Sequence, residues 1–166
     1  MITFITGGIK SGKTTYGLSL GNSFDYKAYI ATAEPFDEEM QRKILLHKLE
    51  RKGEWETIEE PLNLTGALEK CKHYDFILID CITIWINNLI FYKENVLKEV
   101  DKLVEYINIS KFKNLAIVSN EVGLGLISVD KLSREYTNLL GLANQKIASI
   151  SDKVILMVSG CPLSIK

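Results

Sequence analysis

The sequence predicts a three-layer α/β fold built on a mostly parallel central sheet. Three observations predict it. Short apolar runs rich in β-branched residues recur along the 166 residues. Longer stretches with helical periodicity separate them, and strand–helix–strand repetition builds parallel crossovers with helices on both faces of the sheet. The inner runs, Phe76–Ile79, Leu115–Val118 and Val154–Val158, are continuously apolar, as strands buried on both faces are.

The elements follow in order. Ile2–Thr6 reads as the first strand, ended by Gly7-Gly8. Lys13–Leu20 reads as a helix stopped at Gly21-Asn22. Lys27–Thr32 is the second strand. Pro35 and Asp37 open a helix from about Glu38 to Lys52, closed by Gly53. Trp55–Ile58 is a short strand, and Pro61 starts a helix through about Cys71. After Phe76–Ile79 come helices over Thr83–Tyr92 and Val96–Ile107. Beyond Leu115–Val118, a glycine-containing loop, Asn120–Ser128, leads to a long helix from about Asp130 to Ile150. Val154–Val158 is the last central strand, and Pro162–Ile165 forms a short edge strand. Ligands of such sheets bind at the carboxyl ends of the strands. The segments after Thr6, Ala31, Ile79, Val118 and Val158 therefore matter most.

Composition narrows the functional classes. Hydrophobic residues make up 46% and charged residues 25% of the chain, an ordinary globular balance. Residues 1–166 are expected to form a single domain. The formal net charge is −1, which argues against a polyanion partner, so no nucleic acid is expected. The three cysteines, Cys71, Cys81 and Cys161, are odd in number and lack CxxC spacing. Neither a disulfide framework nor a zinc site is suggested, and a reduced, cytoplasmic setting is expected. The start of the chain has no signal-peptide pattern. No apolar run approaches the roughly 18 residues of a membrane span.

Gly7-Gly8-Ile9-Lys10-Ser11-Gly12-Lys13-Thr14 matches G-x-x-x-x-G-K-[ST], with a strand before it and a helix after it. A triphosphate concentrates negative charge in a small volume. The glycines let backbone N–H groups close around it, and the following helix adds its positive N-terminus. Lys13 is placed to reach the β- and γ-phosphates, and the Thr14 hydroxyl to ligate Mg²⁺. The fold expected is therefore of the P-loop NTPase type.

Phe76-Ile-Leu-Ile-Asp80 ends a buried strand in an acid, the pattern of a carboxylate that holds Mg²⁺ beside a P-loop. The alternative is that Asp80 only caps the next helix, with Thr83 as a rival cap. His73 lies in a polar turn and reads as a solvated surface residue. His47 shares a helix face with Met40 and Ile44, among Arg42, Lys43, Lys48 and Arg51. It is either an edge residue of a packed helix or an imidazole aimed at a phosphate. Neutral imidazole is a competent nucleophile near neutral pH.

The chain resembles the bifunctional adenosylcobinamide kinase/adenosylcobinamide-phosphate guanylyltransferases. The likeness spans TGGIKSGKT (6–14), YIATAEPFDEEM (29–40), His47-Lys48, WETIEEPLNL (55–64), DCITIWINNL (80–89), VSNEVGLGL (118–126), Gly141 with Asn144-Gln145, and the VSGCPLSIK tail (158–166). It implies an enzyme of cobalamin assembly that uses GTP and ATP with Mg²⁺ and acts on a corrinoid. It implies catalytic roles for His47, as the carrier of GMP, and for Lys13. It further implies nucleotide contacts at the P-loop, at Ala31, Thr32 and Ala33, at Lys48, Leu49, Glu50 and Arg51, and at Glu59 and Asp80. Thr14 and Asp80 would hold the metal. The family is generally trimeric, so a homotrimer is expected. Glu121 is a candidate general base or a structural loop carboxylate. The chain departs from the family's usual pattern after NEVG: Leu126-Ile-Ser-Val-Asp130 lacks a proline. The alternatives are a P-loop kinase with one activity only, or a regulatory nucleotide-binding module.

Overall fold

Isoleucine and threonine at the start of the chain favour an extended backbone, and β1 forms over Ile2–Gly7. The computed structural model describes residues 1–35, 42, 45 and 53–166. Seven strands align in the order β3-β2-β4-β5-β1-β6-β7. They are β1, β2 (Lys27–Ala31), β3 (Glu56–Glu59), β4 (Phe76–Asp80), β5 (Leu115–Val118), β6 (Lys153–Val158) and β7 (Cys161–Ser164). All neighbours pair in parallel except β6 and β7, which form an antiparallel hairpin. The carboxyl ends of β1 to β6 therefore share one edge.

Side chains alternate across the sheet, and each face buries its own cluster. On one face Tyr29, Phe76, Leu78, Ile5 and Val118 pack with Trp55, beside α1 (Lys13–Leu20). On the other, Phe4, Ile30, Ile77, Ile79 and Ile117 meet α2 (Leu64–Lys70), α3 (Ile82–Phe91), α4 (Val96–Ser110) and α5 (Lys131–Ile150). Fully burying one such side chain contributes about 1.5–3 kcal/mol, and β4 and β5 accordingly carry no polar residue before their ends.

Several boundaries differ from the expected ones by a residue or more, each for a local reason. The β3 strand is Glu56–Glu59 rather than Trp55–Ile58, because Ala28–Ala31 pairs with it residue for residue, while Trp55 is buried. Helix α2 begins at Leu64, not Pro61, because the Asn63 side chain caps it by accepting from Gly66 N–H at 3.0 Å. Asp130 caps α5 in the same way. The helix expected from about Glu38 to Lys52 lies outside the described residues apart from Arg42 and Leu45.

Candidate active site

The chain turns sharply out of β1 into the P-loop. Gly12 adopts φ 93°, in the left-handed region, and becomes the N-cap of α1. Behind it lies the β6–β7 turn. Gly160, at φ 83°, donates its N–H to the Ser11 carbonyl at 3.0 Å. A Cβ on Gly12 would lie 3.3 Å from the Gly160 Cα, so the hairpin backs the P-loop closely. Ile9 projects into solvent, with Gly8 and Lys10 exposed beside it.

Lys13 is only 8% exposed. Its ammonium donates to the Gly8 carbonyl at 2.5 Å and reaches Ser11 Oγ at 3.5 Å. Burial lowers its pKa from 10.5, with Cys81 and the Asp80 carboxylate opposing that shift. A desolvated cation bonded to a carbonyl and a hydroxyl is poised to exchange them for phosphate oxygens.

Asp80 ends β4. Its Oδ2 accepts from Thr14 Oγ1 at 2.8 Å and from the Tyr29 hydroxyl at 2.7 Å. The helix after it starts at Cys81 without any side-chain cap. Thr83 Oγ1 instead accepts the Asn120 N–H at 2.7 Å, so neither Asp80 nor Thr83 serves as the cap that was the alternative reading. A hydroxyl against a carboxylate is a pair of hard oxygen donors, and that donor set suits Mg²⁺.

The strands bring the other expected positions to the same edge. Ala31 pairs with Asp80 on one side and with Glu59 on the other. Thr32 is fully buried. Its hydroxyl donates to the Cys81 carbonyl at 2.8 Å and accepts the Cys81 N–H at 2.9 Å. That hydroxyl is structural. Glu59 is exposed, whereas Glu60 turns inward and accepts from the N–H groups of Leu62 and Asn63 at 3.1 and 2.8 Å. His47 and the following Lys48, Leu49, Glu50 and Arg51 lie outside the described residues. His73 is exposed and stacks on Tyr74. Glu121 donates its N–H to the Gly7 carbonyl at 3.0 Å, and its Oε1 accepts from Gly123 N–H at 2.9 Å.

Three contributors were not read from the sequence. Tyr29 sits two residues before the end of β2, on the same sheet face as Asp80. A tyrosine in the strand beside the acid's strand was the available signal. Asn88 is fully buried on α3 and donates to the carbonyls of Thr32 and Pro61 at 2.8 and 3.1 Å. Beside it, Trp85 Nε1 donates to the Leu62 carbonyl at 2.8 Å. These two side chains tie the loops after β2 and β3 to one helix. A polar residue inside an apolar helical run was their only trace.

A family model described as cobinamide kinase / cobinamide phosphate guanyltransferase matches residues 3–165. The chain is 34% identical over 170 residues to the bifunctional adenosylcobalamin biosynthesis protein CobP of Pseudomonas aeruginosa, covering 100% of this chain and 98% of that one. It is 31% identical over 182 residues to the CobU protein of Salmonella typhimurium, with both chains covered in full. Among solved structures it resembles a KaiC-like protein of Pyrococcus horikoshii at a TM-score of 0.51 and 16% identity, over 93% of this chain and 69% of that one. A type III secretion ATPase aligns at a TM-score of 0.53 and 14% identity, over 93% of this chain and 50% of that one. Those two likenesses are of fold alone, and the fold is that of the P-loop NTPases.

Proposed function

The chain belongs to the cobinamide kinase / cobinamide phosphate guanyltransferase family, and we propose that it performs both reactions in cobalamin nucleotide-loop assembly. It is a transferase that phosphorylates adenosylcobinamide and then transfers GMP from GTP to adenosylcobinamide phosphate through a GMP–His47 intermediate. The observation that carries this reading is the Thr14–Asp80 contact at 2.8 Å. It closes a phosphate cradle inside a chain matched to the family along nearly its whole length.

In the kinase reaction the acceptor hydroxyl attacks the γ-phosphorus of ATP or GTP. The new P–O bond forms as the bond to the β,γ-bridging oxygen breaks. Lys13 and the backbone N–H groups of Gly8 to Thr14 position the phosphates and offset their charge. Bound between Thr14 and Asp80, Mg²⁺ would draw charge from the transferring group. Glu121, whose backbone N–H donates to the Gly7 carbonyl, takes the hydroxyl proton. In the second reaction His47 attacks the α-phosphorus of GTP, forming a P–N bond and releasing pyrophosphate. The phosphate of adenosylcobinamide phosphate then displaces His47 and forms the GDP-linked product. Splitting one transfer between two anions into two steps lowers each barrier.

Residues Ala31, Thr32, Ala33, Lys48, Leu49, Glu50, Arg51 and Glu59 complete the nucleotide site in this proposal. The whole of 1–166 acts as one catalytic domain, in the cytoplasm, as a homotrimer. None of the helices among the described residues is long and apolar enough to cross a membrane. The test is product analysis. The protein, with Mg²⁺, ATP, GTP and adenosylcobinamide, is expected to yield first the phosphate and then the GDP-linked corrinoid by mass spectrometry. The phosphate alone would reduce the protein to a kinase. Neither product would remove the assignment.

A further inference from the structure

A groove of about 780 Å³ runs between the loop after β5 and the outer side of α5. One wall is the segment from Val122 to Ser128. The other is a helical stripe of Arg134, Asn138, Gly141 and Gln145, spaced by the three- and four-residue steps that share a face.

Gly141 points to an occupant. It sits in the middle of a 20-residue helix, where glycine is a poor choice. A Cβ built on it meets no atom within 4 Å. The packing of this chain therefore does not require a glycine there. A bare backbone in the floor of a groove suits a ligand that approaches closely.

The lining chemistry narrows the class. Leu126 and Ile127 offer exposed apolar surface. Thr137, Asn138 and Gln145 offer neutral hydrogen-bonding groups. Among the described residues Arg134 is the one ionisable side chain in the lining, and it is engaged, donating to the Ser128 and Val129 carbonyls at 3.0 and 2.7 Å. The matching ligand is large, with an apolar body and an edge of amides. The volume lies within the usual range of ligand sites, about 300–1,000 Å³.

The groove also lies beside the phosphate edge. Its loop begins at Glu121, whose N–H is bonded to Gly7 of the P-loop. The loop's root is fixed to α5 by Ser119 Oγ donating to Asn144 Oδ1 at 2.7 Å and by Asn144 Nδ2 donating to the Asn120 carbonyl at 3.0 Å.

We propose that this groove seats the amide-edged corrin macrocycle of the acceptor, with Gly141 as its floor, so that the acceptor's hydroxyl arm extends toward the P-loop. The proposal rests on the corrinoid-transferase reading above. Its test is Gly141→Leu, which fills the floor while favouring the helix, so the variant folds. Cobinamide is the probe, measured by equilibrium dialysis from its visible absorbance. GTP binding and mass in solution are measured alongside. The expected result is cobinamide binding weakened at least about tenfold, with GTP affinity, mass and melting temperature not lowered. Unchanged cobinamide binding by the variant overturns the proposal. So does lost binding accompanied by a fall in oligomer mass, which would make the groove a contact between copies of the chain. Wild type that binds no cobinamide would remove the functional reading itself, an outcome distinct from either.

Discussion

The Thr14 hydroxyl donates to Asp80 Oδ2 at 2.8 Å, and the Tyr29 hydroxyl donates to the same oxygen at 2.7 Å. Two strands, β2 and β4, and helix α1 thus converge on one carboxylate. Asp80→Asn keeps the shape and removes the charge that both hydroxyls address. Both transfer reactions are expected to fall, and the Mg²⁺ concentration for half-maximal rate to rise. Tyr29→Phe removes only the outer partner, an effect typically worth about 10- to 100-fold in metal affinity or activity. A Mg²⁺ titration of initial rates checks both. An unaltered titration for Asp80→Asn would place the metal elsewhere.

Asn88 is a positioning residue for the nucleotide edge. Replacing it with leucine fills the volume but strands the Thr32 and Pro61 carbonyls. A buried acceptor left unpaired costs about 1–3 kcal/mol. The variant is expected to melt earlier and to show a raised KM for GTP, since the loop after β2 loses its bond to α3 and the loop after β3 keeps only the one from Trp85. Thermal unfolding with a GTP titration reads the two effects. A melting loss with unchanged KM would make Asn88 a core residue only.

Two glycines predict opposite signs. A Cβ on Gly21 would lie 2.4 Å from the Trp55 ring, and Trp55 is itself wedged against Tyr29 and Phe76. Overpacking of this kind costs about 1–3 kcal/mol, so Gly21→Ala is expected to lower the urea midpoint. Gly141→Ala meets nothing and improves helix propensity by up to about 1 kcal/mol, so it is expected to raise the midpoint. Equal shifts for the two would contradict the packing described.

Asp130 carries the pH signature of a helix cap. The Ser133 N–H and hydroxyl donate to its carboxylate at 2.7 and 2.8 Å and hold its pKa below the ordinary 3.8. A carboxylate with a lowered folded pKa stabilises above its unfolded value, and loses that contribution as pH falls through the lowered one. Asp130→Ala is therefore expected to be less stable than wild type at pH 7. The gap narrows as pH drops below 3.8. Urea unfolding of both proteins across that range checks it, and a gap independent of pH would refute it.

The strands were legible because buried parallel strands are continuously apolar, and the P-loop because its glycines and lysine have one common physical purpose. Asp80 was visible as an acid ending such a strand. Its orientation was not, because Thr14 and Tyr29 reach it only once β1, β2 and β4 are ordered in space. The start of α2 was misplaced by the proline at 61, which marks a turn here while Asn63 supplies the cap. Asn88 and Trp85 were invisible as ties because their partners are backbone carbonyls, which leave no mark in side-chain sequence. The groove along α5 could be guessed only from Gly141, a glycine with no turn to make.

In the proposed guanylyl transfer, this P-loop chain carries GMP on His47. The direct measurement is incubation with Mg²⁺ and GTP labelled at the α-phosphate, followed by denaturation and counting of protein-bound label, with His47→Ala beside wild type. Acid-labile, alkali-stable label is expected on wild type and none on the variant, as a phosphoramidate at that histidine requires. Wild type that phosphorylates cobinamide yet takes up no label would contradict the guanylyl half of the account.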